Sequence, residues 1–187
     1  MRKVVKLTLL LALAICWMAL IFKLSGMNGS ESGDKARMLL SNFIEDAVDF
    51  TNGLGYTDIN PNERQIEAVT SILHIPVRKI VHATVYLILA MFVFAIVTTI
   101  MNHNHYFSAL FIALAICVLF AIFDEFHQTF VPGRNGAVID VVIDSVGAFV
   151  GILFYTTYYI TYELGYNSGR RDSIRATKQQ KNRDDLH

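Results

Sequence analysis

The sequence predicts an all-α fold: a bundle of four transmembrane helices with a helical extracytoplasmic loop between the first and second. Three observations predict it. Of 187 residues, 53% are hydrophobic and only 17% are charged, against roughly 25% charged in a soluble domain. The apolar residues gather in four blocks of 18 to 24 residues, enough to cross a hydrocarbon core about 30 Å thick at about 1.5 Å rise per residue. Almost all the charge lies in the first loop and the tail. Inside a bilayer the backbone must satisfy its own polar groups, which makes each block a helix. The balance of 16 basic and 16 acidic residues argues against a nucleic-acid partner. Two cysteines, Cys16 and Cys117, exclude a disulfide framework, a zinc ribbon and an iron–sulfur site, and are read as packing residues. No cofactor is read from the chain.

The first block, residues 4–22, follows Arg2 and Lys3 and carries Lys6 near its start. It is long for the apolar core of a signal peptide, and no small-residue cleavage site follows it. Residues 1–24 are therefore expected to be a retained anchor. Residues 25–79 form a loop with two amphipathic helices. Leu40, Phe43, Ala47 and Phe50 recur at helical spacing with Ile44 and Val48 beside them, and Asn52-Gly53 and Gly55 stop that helix. Asn60-Pro61-Asn62-Glu63 reads as an N-cap, a first-turn proline and a returning carboxylate, opening a helix that carries Ile66, Val69 and Leu73 on one face. Both helices are expected to lie on the outer membrane surface or to cap the bundle. Residues 80–160 form a three-span core: 80–101, 106–123 and 137–160. His103 and His105 flank a solvated turn, and Tyr155, Tyr158 and Tyr159 make an aromatic belt. Residues 161–187 form a polar tail, expected to be disordered, whose Arg170-Arg171 pair suits anionic headgroups.

Nine Lys and Arg residues fall inside if both termini are cytoplasmic, and seven fall outside. That margin favours cytoplasmic termini, with the first loop and residues 124–136 facing outward.

Polar chemistry collects in three places on that outer side. Arg78, His82 and Tyr86 are four residues apart, with Lys79 adjacent, so one helical face presents a cation, an imidazole and a phenol. Asp124, His127 and Gln128 share a face at the end of the third span, with Glu125 pointing away. Arg134 lies in the turn that leads to Asp140 and Asp144. Asp140, Asp144, Gly147 and Gly151 form one stripe, acidic at its start and smooth beyond, where another helix approaches closely. Asp144 would lie about 10 Å along its helix. A carboxylate at that depth costs roughly 2.5–3.5 kcal/mol to insert, so it should face the bundle and find a partner among Arg78, Lys79, Arg134, His82 and Tyr86. Each cluster also has a structural reading. Arg78 and Lys79 serve equally as interfacial anchors, and the two aspartates as salt-bridge partners that fix the fourth helix.

The run Asp124-Glu125-Phe126-His127-Gln128 through Pro132-Gly133-Arg134 to Asp140, Asp144, Gly147 and Gly151 resembles the signature of the VanZ-like family of bacterial membrane proteins. Arg78-Lys79-Ile80-Val81-His82 with Tyr86 is similar to the family's basic–His–Tyr segment, and Ile21-Phe22-Lys23-Leu24-Ser25 gives a weaker match. The chain departs at Val85, where members often carry Glu, and at Asn135 and Ala137, where they often carry Ser. Its first loop is also longer than in minimal members. The resemblance implies a protein of the bacterial cytoplasmic membrane and an association with low-level resistance to teicoplanin-type glycopeptides. It does not imply a mechanism.

Three mechanisms remain open. The first is non-catalytic binding of an anionic lipid, a lipid-linked precursor or a glycopeptide. Arg78, Lys79, His82, Tyr86, Gln128 and Arg134 would line that site, with Asp140 and Asp144 pairing charges. The second is an intramembrane enzyme with Asp124, Glu125 and His127 as acid, base or orienting groups, or as ligands of a divalent metal. Neighbouring Asp and Glu point apart on a helix, and the cluster has no Ser or Cys nucleophile. The third is proton-coupled transport through Asp144, His82 and Tyr86; four spans without an evident inverted repeat weigh against it. The oligomeric state is not legible.

Overall fold

The computed structural model describes residues 2–56, 58–101 and 105–184; the side chains of residues 2, 30–31, 163–164, 167–168 and 171–184 lie outside that description, as does His103. Among the described residues there are five helices and no strand: α1 Arg2–Ser25, α2 Gly29–Gly53, α3 Glu63–Met101, α4 Tyr106–Gln128 and α5 Val138–Asp184. Four of them, α1, α3, α4 and α5, contain stretches long and apolar enough to cross a membrane. That is the architecture expected of the four blocks.

Helix α3 is the hub and packs against each of the other four. At 39 residues it is about 58 Å long, so it spans the apolar layer and projects beyond it. The second loop helix and the second span are therefore one helix, with no break at residue 79. Pro76 lies inside it. The start also differs from the expected cap. Asn62 and Gln65 form a reciprocal capping box, Gln65 N donating to Asn62 Oδ1 at 3.0 Å and Asn62 N to Gln65 Oε1 at 2.9 Å. Gln65 stands three residues on and reaches back, which Glu63 is too close to do.

Helix α2 rests on α3 through a face different from the expected one. Leu40, Ile44 and Val48 are half-buried, while Phe43 and Phe50 are 69% and 67% exposed. Both faces of this helix carry apolar residues, so periodicity alone did not decide which one packs on protein and which stays exposed.

Small residues fix the spacing of the bundle. On α5, a Cβ added to Gly147 would overlap the Ala83 carbonyl of α3, and one on Gly151 the Leu87 carbonyl. On α4, Ala109, Ala113, Cys117 and Ala121 recur every four residues and are fully buried, a flat stripe that brings helix backbones together. Around these surfaces pack Ile21, Tyr86, Leu89, Phe94, Ala148 and Ile152. The tyrosines near the far end of α5 divide. Tyr155 meets Phe94 edge-on and Tyr159 stacks on Tyr106, so of the three expected belt residues Tyr158 alone faces outward, as Tyr162 and Tyr166 do further along. Cys117 is buried as expected of a packing residue, whereas Cys16 is exposed on α1.

The tail differs most from expectation. Residues 161–184 continue α5 as helix. Arg, Lys, Gln and Ala dominate its final turns, and these residues favour helix without needing a buried face.

Candidate functional site

The ends of α1 and α4, the start of α5 and the middle of α3 meet at one end of the bundle. A tight turn closes this end. Arg134 N donates to Val131 O at 3.1 Å, with Pro132 and Gly133 between them and Gly133 at φ +73°, the geometry of a type II turn. The turn is also tied to the start of α2, Gly29 N donating to Pro132 O at 3.1 Å.

Arg134 holds the corner. Its Nε donates to Met27 O at 3.1 Å, Nη1 to Gln128 Oε1 at 3.0 Å, and Nη2 to Ser32 Oγ at 3.1 Å and Leu24 O at 3.5 Å. The planar fork thus joins α1, α2 and α4 at once. Burial, and then the neighbouring Arg78 guanidinium, hold Arg134 below its ordinary pKa; Asp124, Glu125 and Asp140 act in the opposite direction.

Beneath it lies a carboxylate–amide network. Gln128 Nε2 donates to Glu125 Oε1 at 3.0 Å and to Asp124 Oδ2 at 3.3 Å, and Ser25 Oγ donates to Asp124 Oδ2 at 2.6 Å. Glu125 Oε2 accepts from Ala137 N at 2.9 Å, just ahead of α5, where a negative charge also complements the helix dipole. Glu125 therefore does not point away from Asp124. Both are buried, and Gln128 joins them. Gly136 lets the chain pass close over the Glu125 carbonyl.

Above this network is a polar cavity of about 230 Å³. Of the residues singled out in the sequence, Arg78, Lys79, His82, Gln128, Arg134, Asp140 and Asp144 line it, together with Asn135 and Ile143. Lys79 Nζ pairs with Asp140 Oδ1 at 2.7 Å across α3 and α5. Asp144 is fully buried, and neither oxygen has a hydrogen-bond partner among the described residues. The salt bridge expected for it is not formed; the available lysine goes to Asp140. Tyr86 is fully buried with its hydroxyl unpartnered, and His82 Nδ1 is buried and unpartnered as well.

His127 stands apart. Its ring stacks on Phe22 at 4.0 Å and does not line the cavity, so the expected face of Asp124, His127 and Gln128 loses its imidazole to α1. Asp124, Glu125 and His127 consequently do not converge on one point. Among the described residues no three His, Cys, Asp or Glu side chains group to hold a metal.

An apolar groove of about 570 Å³ opens beside the cavity, between α1, α2 and α3. Leu39, Leu40, Phe43, Val77, Val81 and Val85 line it, and Arg78, His82 and Arg134 line both spaces. Val85 adds to the apolar lining of the groove, and its carbonyl accepts from Trp17 Nε1 at 2.8 Å. The sequence marked Ser25 only as the end of a weak family match and gave it no role, and Ser32 and the groove were not legible. The contacts of the two serines reach 99 and 102 residues along the chain, beyond any local pattern.

Four spans, a glycine-fitted hub and a polar cavity at one end define a polytopic helical membrane protein. The family model described as VanZ/LLP1 matches residues 10–160, and the chain belongs to that family. No curated protein and no solved structure matches it.

Proposed function

We propose that this protein binds the anionic group of a membrane amphiphile in the cavity at the end of the bundle and does so without catalysis. The amphiphile is an anionic lipid, a lipid-linked precursor or an acylated glycopeptide, and its capture lowers susceptibility to teicoplanin-type antibiotics. One observation carries the reading. Arg78 is half-buried, makes no hydrogen bond or ion pair with any described residue, and lines both the polar cavity and the apolar groove. A guanidinium is a planar fork matched to phosphate and carboxylate. Here it awaits that partner beside space for a hydrocarbon chain. Arg134, by contrast, spends its donors on the fold. The Lys and Arg balance supports a site facing outward from the cytoplasmic membrane, with both termini inside.

The test is binding by purified, delipidated protein, read by native mass spectrometry with a single-chain phospholipid. Arg78→Gln is expected to weaken binding about tenfold or more, the scale of one lost charge-assisted contact. Tyr158→Ala, at the far end, is expected to change it less than twofold. Undiminished binding by Arg78→Gln would remove the proposal.

A further inference from the structure

We infer that the preferred ligand is a phospholipid whose head carries a hydrogen-donating ammonium beside its phosphate, and whose acyl chain lies in the α1–α2–α3 groove. This rests on the anion-binding reading above, keeps the phosphate as the bound anionic group, and narrows the amphiphile to a phospholipid whose ammonium makes the head zwitterionic.

The cavity wall is not simply basic. Lys79 and Asp140 neutralise each other at 2.7 Å. Arg134 also lines the cavity, with its donors taken up by Met27, Leu24, Gln128 and Ser32. The groups left without a partner among the described residues are Arg78, His82 Nδ1 and Asp144, which is fully buried with both oxygens lacking a donor. An acceptor buried without a donor is an expensive feature, and Asp144 lines the same cavity as Arg78. A purely anionic head would satisfy the arginine and leave the aspartate bare. A head carrying phosphate and ammonium satisfies both. At about 30 Å³ per water molecule, the 230 Å³ cavity holds about eight waters, so a compact head of about that many non-hydrogen atoms fits. The groove, at 570 Å³, falls within the roughly 300–1,000 Å³ usual for ligand pockets. Because Arg78, His82 and Arg134 border both spaces, head and chain of one molecule occupy them together.

The experiment uses the full-length protein, delipidated in detergent, and three lysophospholipids of one chain length with ethanolamine, choline or glycerol heads. Affinities are read by native mass spectrometry. The wild type is expected to bind the ethanolamine lipid about tenfold more tightly than the choline lipid, whose quaternary nitrogen has no hydrogen to donate. Asp144→Asn is expected to bring the two within about twofold by losing the ethanolamine preference while keeping choline-lipid affinity. Equal binding of the two by the wild type overturns the inference without any variant. So does a preference that survives Asp144→Asn, or a glycerol lipid bound as tightly as the ethanolamine one. Arg78→Gln, which should weaken all three alike, reports separately on the anion site, so the two readings fail independently.

Discussion

Arg134 offers a magnitude that can be worked from its contacts. Alanine there removes hydrogen bonds to Met27 O, Gln128 Oε1 and Ser32 Oγ of 3.0–3.1 Å, and a 3.5 Å contact to Leu24 O. The last is at the geometric limit and contributes little. Hydrogen bonds to charged groups contribute about 1.5–3 kcal/mol each. Arg134 is half-buried, and water replaces part of what is lost, so the expected destabilisation is about 2–4 kcal/mol for the three together. For a chain of this size that corresponds to a fall in Tm of roughly 5–12 °C. Lysine keeps the charge but radiates its donors from one nitrogen, so Arg134→Lys should recover only part of the loss. Trp17, the single tryptophan, reports unfolding in detergent by fluorescence. Hydrogen exchange should accelerate locally at the junction of α1 and α2, where three of the four acceptors lie. Wild-type melting of Arg134→Ala, or of Arg134→Lys, would refute the assignment of Arg134 as the tie between these helices.

Other substitutions probe the rest of the account. Gly151→Leu would drive a side chain into the Leu87 carbonyl; it is expected to abolish the monodisperse peak in size-exclusion chromatography, overpacking by this much costing about 3 kcal/mol or more. Ser25→Ala leaves buried Asp124 Oδ2 with only the 3.3 Å contact from Gln128 and should cost about 1–3 kcal/mol in thermal unfolding, an effect that Asp124→Asn in the same molecule should largely erase. Lys79→Gln, breaking a pair whose side chains are 31% and 22% exposed, is expected to lower stability by only about 1 kcal/mol, measured the same way. Cysteine introduced at Asn135 in a cysteine-free background should react with a membrane-impermeant maleimide on intact cells; labelling only after lysis would reverse the orientation.

Much of this could be read from the chain, for a physical reason. Bilayer thickness sets a length and hydropathy requirement that leaves an unmistakable pattern, so all four spans were legible. Gly147 and Gly151 were legible too, since a stripe of small residues at helical spacing has few uses other than close approach. Convergence of Arg78, Lys79, His82, Arg134, Asp140 and Asp144 followed from topology, because antiparallel spans bring the relevant ends to the same side. Pairing within the cluster did not follow. Lys79 rather than an arginine meets Asp140, Glu125 turns inward to Gln128 and Ala137, and His127 turns to Phe22. Those choices depend on the rotation of each helix about its axis, which packing decides. The second loop helix runs on into the second span, and this one helix accommodates Pro76; from sequence alone it was divided at residue 79.

In the proposed function one cavity, at the end of the bundle shared by Arg78 and Asp144, holds the head of a membrane amphiphile. Mass spectrometry of lipids that co-purify from native membranes tests it most directly, comparing wild type, Arg78→Gln and Tyr158→Ala at equal yield. One phospholipid class is expected to be enriched on the wild type and on Tyr158→Ala, and lost from Arg78→Gln. A lipid profile that is identical across all three proteins would contradict it.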